Sequence, residues 1–220
     1  MKRHDKLAET IPYGTLGILA LESSRDMGKR VNDYIVDWRN DRAQNHATAA
    51  SFAGYNRDSF IIDSACPRFG SGEAKGIIRE SVRGQDLYIL VDVCNYNLTY
   101  TVCGQTNHMS PDDHYQDLKR IIAAVGGKAR RITVIMPFLY ESRQHRRSAR
   151  ESLDCALALQ ELTQMGVESI ITFDAHDPRV QNAIPISGFD NIQPTYQFVK
   201  SLVEQCDDCL LYTSDAADDR

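Results

Sequence analysis

The sequence predicts an α/β fold in which a mostly parallel sheet carries helices on both faces. Apolar runs of strand length alternate with amphipathic stretches of helical spacing, the pattern of successive βαβ units. Leu87 to Val93 is apolar at every position except Asp92, as expected of an interior strand covered on both sides. Two polar loops, Arg143-Gln144-His145-Arg146-Arg147 and Asp174-Ala175-His176-Asp177, each follow an apolar run. In an open parallel sheet the crevice at the carboxyl ends of the strands binds ligands, so these loops are expected to face one site.

The elements follow in order. Leu16 to Ala20 reads as the first strand. Met27, Val31, Tyr34, Ile35 and Trp38 then recur at helical spacing, with Ser23 or Ser24 as the N-cap. Arg39 to Asn56 is polar, alanine-rich and weakly patterned, and reads as a surface insertion. After the strand Leu87 to Val93, Ser110-Pro111-Asp112-Asp113 starts a helix with a hydroxyl cap, a proline at the first position and carboxylates at the positive end of the dipole. Tyr115, Leu118, Ile121, Ile122 and Val125 form its buried face, and Gly126-Gly127 ends it. A strand from Ile132 to Met136 follows. Ser148 to Glu151 reads as a capping box opening a helix with Leu153, Ala156, Leu157, Leu159 and Leu162 inward. Ser169 to Phe173 is the next strand, and a last helix runs from Pro194 with Tyr196, Phe198, Val199, Leu202 and Val203 as its apolar set. Residues 1–205 are expected to form one α/β domain, and 206–220 read as a truncated or non-native tail, because the pattern stops near Cys206.

Composition limits the functional classes. A net charge of -5 over 220 residues gives no bulk attraction to nucleic acid or anionic membrane. No apolar stretch approaches the roughly 20 residues needed to span a bilayer, and the first residues do not resemble a secretion signal. A cytoplasmic location is the default expectation. The six cysteines, at 66, 94, 103, 155, 206 and 209, are scattered, which favours reduced thiols, and Cys206-x-x-Cys209 lacks a second pair at zinc-ribbon spacing. His108 and His114 flank the Ser110 cap and read as surface residues. Asn95, Tyr96 and Asn97 either line the crevice or form a plain strand-to-loop transition.

One key loop is cationic and the other offers metal ligands. Guanidinium forks grip phosphate oxygens, while carboxylate and imidazole groups hold a divalent ion, so the pair suits a nucleotide polyphosphate. Taken singly, the basic loop reads equally as a solvated turn, the Asp-Ala-His-Asp segment as a hydrogen-bonded cap, and Gly70-Ser71-Gly72 as a simple turn.

Four segments together resemble one family, the ribose-phosphate pyrophosphokinases. Phe69-Gly70-Ser71-Gly72-Glu73 resembles its nucleotide-contacting F-x-x-x-E loop, and Glu80 to Asp86 its E-S-V-R-G-x-D segment. Arg143-Gln144 resembles the start of its R-Q-D loop, and Asp174-Ala175-His176 its D-L-H metal loop. The resemblance implies a three-layer, phosphoribosyltransferase-like domain, truncated here before a second such domain. It implies transfer of the β,γ-diphosphoryl group of ATP, held with Mg2+, to the C1 hydroxyl of ribose 5-phosphate, giving phosphoribosyl pyrophosphate and AMP. Arg143 and Gln144 would contact ATP, and Phe69, Ser71, Gly72 and Glu73 would frame the adenine, usually from a neighbouring subunit, which implies a homo-oligomer. Asp174 and His176 would sit at the metal and phosphates, and Asp190 resembles a further acidic position. No catalytic acid or base is assigned by these motifs.

The departures are equally specific. His145 stands where the family usually has Asp, the loop after Arg147 lacks the expected proline, and the stretches 39–56 and 94–107 are longer than in the common form. The loops of the second domain that grip the sugar phosphate are absent from these 220 residues. Two other readings therefore stand beside a pyrophosphokinase half holding the ATP side of a site. One is a non-catalytic regulatory or scaffolding relative, and the other a generic metal-dependent phosphohydrolase.

Overall fold

The computed structural model describes residues 13–45 and 54–205. Residues 46–53 of the expected 39–56 insertion, and the 206–220 tail with its Cys-x-x-Cys, lie outside the described residues. In chain order the elements are β1 (Thr15–Ala20), α1 (Arg25–Asn45), β2 (Ser64–Ala65), β3 (Ile77–Ile78), β4 (Gln85–Leu90), β5 (Thr99–Val102), β6 (Gln105–His108), α2 (Pro111–Val125), β7 (Arg131–Ile135), α3 (Asp154–Gln164), β8 (Ser169–Phe173), β9 (Gly188–Ile192) and α4 (Thr195–Gln205).

Five strands form the expected parallel sheet in the order β1-β4-β7-β8-β9. Period-two alternation sends successive side chains to opposite faces. Leu19, Ile89, Val134 and Ile170 are aligned in register across four strands, and all are sealed from solvent. They join the apolar faces of α2 and α3 in the larger core. The other face, with Ile18, Leu90 and Ile135, packs on Met27, Val31 and Ile35 of α1. Helix, sheet and helix pair thus make the three layers. Beyond β1, Phe60 to Ile62 closes the sheet edge through hydrogen bonds from Ile18 N–H to Phe60 O and from Ile62 N–H to Ile18 O. The start of α2 is as expected: Ser110 and Asp113 exchange reciprocal capping hydrogen bonds, and Gly126 takes the left-handed conformation at the other end.

Several expectations are corrected. Helix α1 continues to Asn45, so the first part of the presumed insertion is helical. Ser23 and Ser24 do not cap it; they lie in a one-turn 3-10 helix, Glu22–Ser24, where Ser24 donates to Leu90 O and Ser23 Oγ accepts from Asp92 N–H. Tyr34 and Trp38 lie off the buried stripe, 72% and 45% exposed. Helix α3 begins at Asp154, not at Ser148, because Gln144 holds the preceding chain outside helical geometry. Its side-chain amide donates to Ser152 O and its carbonyl accepts from Cys155 N–H. The register that results buries Cys155, Ala158, Leu159 and Leu162 and turns Leu157 outward. His114 is buried rather than superficial, its Nε2 2.7 Å from Asn95 O. The apolar residues of α4 face outward, with Tyr196 and Val203 about 70% exposed. Periodicity identified the helix, but no described element covers it. Strand β9 and the β2–β3 and β5–β6 pairs were not anticipated.

Candidate functional site

The loops after β7 and β8 meet. The His145 ring lies edge-on to that of His176, centroids 5.1 Å apart, and His145 Nε2 is 3.4 Å from Asp177 Oδ2. Adjacent parallel strands bring their C-terminal loops to one end of the sheet, which is why two motifs about thirty residues apart converge.

Each loop is built to hold its shape. In the first, Glu141 adopts a left-handed φ of 54°, and Gln144 N–H returns to Glu141 O at 2.9 Å. Tyr140 anchors the entry, stacking on Tyr115 of α2 at 4.3 Å and donating to Asp112 at 2.6 Å. Desolvation, with the hydrogen bond to Asp112 and the nearby acids adding to it, pushes the Tyr140 phenol well above its usual range, so it remains a donor. Arg143, Arg146 and Arg147 are exposed. The charge of Arg143 opposes the rise that desolvation and Asp92 impose on the Cys94 thiol.

In the second loop Asp174 takes a left-handed φ of 47°, a conformation aspartate tolerates better than most residues. Strand β9 fixes it: Asp174 N–H donates to Ile192 O and Ala175 N–H to Asn191 Oδ1, both at 3.0 Å. Asp177 caps the short 3-10 helix Pro178–Ala183 and is clasped by Arg179, whose side chain and backbone N–H hold its carboxyl far below the usual range. That Asp-Pro step was a legible cap signal, and the clasp leaves Asp177 occupied. Asp174 and His176 are the exposed groups. Asp190 is exposed on β9, opposite Ile171.

The clasp predicts a pH dependence. A carboxyl depressed in the folded state contributes stability above its unfolded value and loses it as pH falls toward the folded value. The melting-temperature gap between wild type and Asp177→Asn should be full at neutral pH and begin to shrink only as pH falls below about 4, toward the depressed folded value. A gap that does not change over that range would contradict the clasp.

Among the described residues no group of three His, Cys, Asp or Glu side chains stands ready to hold a metal alone. The Asp174 carboxylate suits Mg2+, a hard ion that takes oxygen ligands, keeps much of its water shell and shares substrate phosphates, and the His176 imidazole can meet that shell through a water. The donor set fits an ion that arrives with a polyphosphate, not a resident cation cage.

The remaining predicted residues stand apart. Phe69 to Glu73 form a turn in which Phe69 N–H donates to Glu73 O, Gly72 N–H to Phe69 O and Ser71 Oγ to Glu73 Oε2. Among the described residues no hydrogen bond, ion pair or ring contact links it to the other two loops. A 470 Å3 cleft does lie at the carboxyl ends of β1, β4 and β7, lined by Ser23, Asp92, Asn95, Asn97 and Phe138. This resolves Asn95 and Asn97 as crevice residues, although Asn95 also donates to Ser23 O. Arg143, Asp174 and His176 are not among the residues that line it.

A sequence model of the N-terminal domain of ribose phosphate pyrophosphokinase matches residues 16–166. The chain belongs to the ribose-phosphate pyrophosphokinase family. It is 35% identical over 121 residues to ribose-phosphate pyrophosphokinase 1 of Schizosaccharomyces pombe, covering 54% of this chain and 26% of that protein. Over 150 residues it is 31% identical to the ribose-phosphate pyrophosphokinase of Ralstonia nicotianae, covering 67% of this chain and 43% of that protein. The chain therefore spans less than half the length of these two relatives. Its fold matches that of phosphoribosylpyrophosphate synthetase from Mycobacterium smegmatis with a TM-score of 0.65 at 20% identity, over 86% of this chain and 52% of that one. The matched region contains the Phe69 turn and Arg143-Gln144; Asp174 and His176 lie beyond the sequence match. Among the described residues of this family member, no helix is long and apolar enough to cross a membrane.

Proposed function

We propose that this chain is the ATP side of a ribose-phosphate diphosphokinase, transferring the β,γ-diphosphoryl group of ATP to the C1 hydroxyl of ribose 5-phosphate. The observation that carries this reading is the contact between the arginine loop and the Asp174–Asp177 loop at one end of the sheet. In this reading the exposed Arg143 fork grips phosphate oxygens and Gln144 contacts the nucleotide. Asp174 and His176 hold the magnesium that accompanies ATP, and Phe69, Ser71, Gly72 and Glu73 frame the adenine of a neighbouring subunit in a homo-oligomer. When bound, magnesium neutralises charge on the phosphate oxygens. Phosphoryl transfer depends on positioning and charge neutralisation more than on covalent help from the protein, so exposed cations on rigid loops meet the need. The C1 oxygen bonds to the β-phosphorus as the bond to the α-phosphate oxygen breaks, AMP leaves, and the hydroxyl proton is released. The sugar phosphate is bound by residues of a longer protein.

The test is AMP formation by the full-length protein from ATP and magnesium, with ribose 5-phosphate supplied or omitted. AMP that appears only with the sugar phosphate is the expected result. Release of inorganic phosphate without it would favour a phosphohydrolase, and binding without turnover a non-catalytic relative.

A further inference from the structure

The β5–β6 hairpin falls in the stretch that is longer than the common family form, and it is built against the Phe69 turn. Its two-residue connection, Cys103-Gly104, has both φ values positive, 49° and 80°, the geometry of a tight hairpin turn. Cys103 N–H donates to Gly70 O at 3.3 Å, a cross-link from the hairpin tip to the turn. Gly72 has a φ of 90°, and a Cβ there would come within 2.9 Å of Val102 Cγ2 and 3.6 Å of Tyr100 Cε2. The turn thus rests on the hairpin at a point where only glycine fits.

The hairpin is itself anchored to the core. The Tyr100 ring lies under the Arg68 guanidinium at 4.9 Å, one residue before the turn. Arg68 donates to Asp117 at 2.9 Å, and Arg120 donates to the same carboxylate at 2.7 Å. Both cations are well shielded, and burial pushes the Asp117 carboxyl up despite them. At the base, Met109 N–H donates to Leu98 O, and the chain enters α2 directly through the Ser110 cap. A fixed path therefore runs from α2 through Asp117 and Arg68 to Tyr100 and the turn.

We propose that the β5–β6 hairpin is a positioning element that holds the Phe69–Glu73 turn in its base-contacting shape, with Tyr100 and Val102 as the positioning residues. This rests on the reading of the turn as an adenine-contacting loop. A flexible turn must be ordered when the base binds, whereas a turn already seated on Val102 and Tyr100 loses little further freedom. The hairpin should therefore strengthen recognition of the base and leave the grip on the phosphates alone.

The experiment measures the affinity of the full-length protein for magnesium ATP and for magnesium tripolyphosphate, which has no base. It compares wild type with Val102→Ala, Tyr100→Ala and Tyr100→Phe. Val102→Ala and Tyr100→Ala should weaken ATP binding by about tenfold while tripolyphosphate affinity stays within about twofold. Tyr100→Phe, which keeps the ring, should restore ATP binding. Val102 is half-buried and lies outside the core clusters, so Val102→Ala tests the proposal even where Tyr100→Ala fails to fold. Equal weakening of both ligands, or no change in either, would overturn the proposal. Failure of the wild type to bind ATP would instead overturn the underlying ATP-site reading.

Discussion

Replacing Arg143 with alanine in the full-length protein is expected to lower kcat/KM for ATP by about a hundredfold, the usual cost of losing one preorganised donor to a transferring phosphate group. The loss should come mainly from chemistry and phosphate binding, because Arg143 is exposed and supports no core contact. Thermal stability should therefore remain that of the wild type. Arg143→Lys should recover only part of the activity, since an ammonium supplies charge without the planar fork that meets two oxygens at once. AMP formation followed over a range of ATP concentrations measures both variants. An Arg143→Ala protein with unaltered kinetics would take the arginine loop out of the site.

The second large effect is on stability. Leu118 of α2 is fully buried in the core between that helix and the sheet. Leu118→Ala should cost about 3 kcal/mol, combining lost transfer energy with the cavity left behind. Helix α2 also carries Tyr115 beneath Tyr140, and Asp117 beneath Arg68. Loosening it should therefore disturb both the arginine loop and the Phe69 turn. Chemical denaturation of wild type and variant reads the change directly, and a loss below about 1 kcal/mol would contradict the packing described here.

How far the fold could be read from sequence depended on how strongly each element is patterned. Interior strands β4, β7 and β8 were legible because burial on both faces leaves apolar runs. Strand β9 was missed because Gly188-Phe-Asp-Asn-Ile is an edge segment with few apolar residues, held by pairing with β8. The β5–β6 hairpin is mostly polar, with only Tyr100 and Val102 half-buried, so it gave no burial signal. The misplaced start of α3 has a local cause. Ser148 and Glu151 do approach each other, at 3.4 to 3.5 Å, yet the Gln144 hydrogen bonds decide where the helix begins. Local capping chemistry was present, and tertiary contacts overrode it.

The site followed the same division. The convergence of the two polar loops was legible, because parallel neighbouring strands leave their C-terminal loops little choice. The partners that stiffen them were not. Asn191 and Ile192 hold Asp174, Tyr140 stacks on Tyr115, and Arg179 clasps Asp177, each a contact that sequence spacing alone cannot reveal. His145, which stands where the resemblance would put an acid, is the bridge between the loops. An aspartate there would face the Asp177 carboxylate, whereas histidine faces it without like-charge repulsion. The substitution and the geometry of the second loop thus fit one another.

The most direct test of the shared phosphate site is a double-mutant cycle between Arg143→Ala and His176→Ala, read as magnesium-dependent ATP affinity by calorimetry. Two side chains that grip one phosphate chain should lose less together than the sum of their separate losses, with a coupling above about 0.5 kcal/mol. Losses that add to within about 0.3 kcal/mol would show that the loops act independently and would contradict the common site.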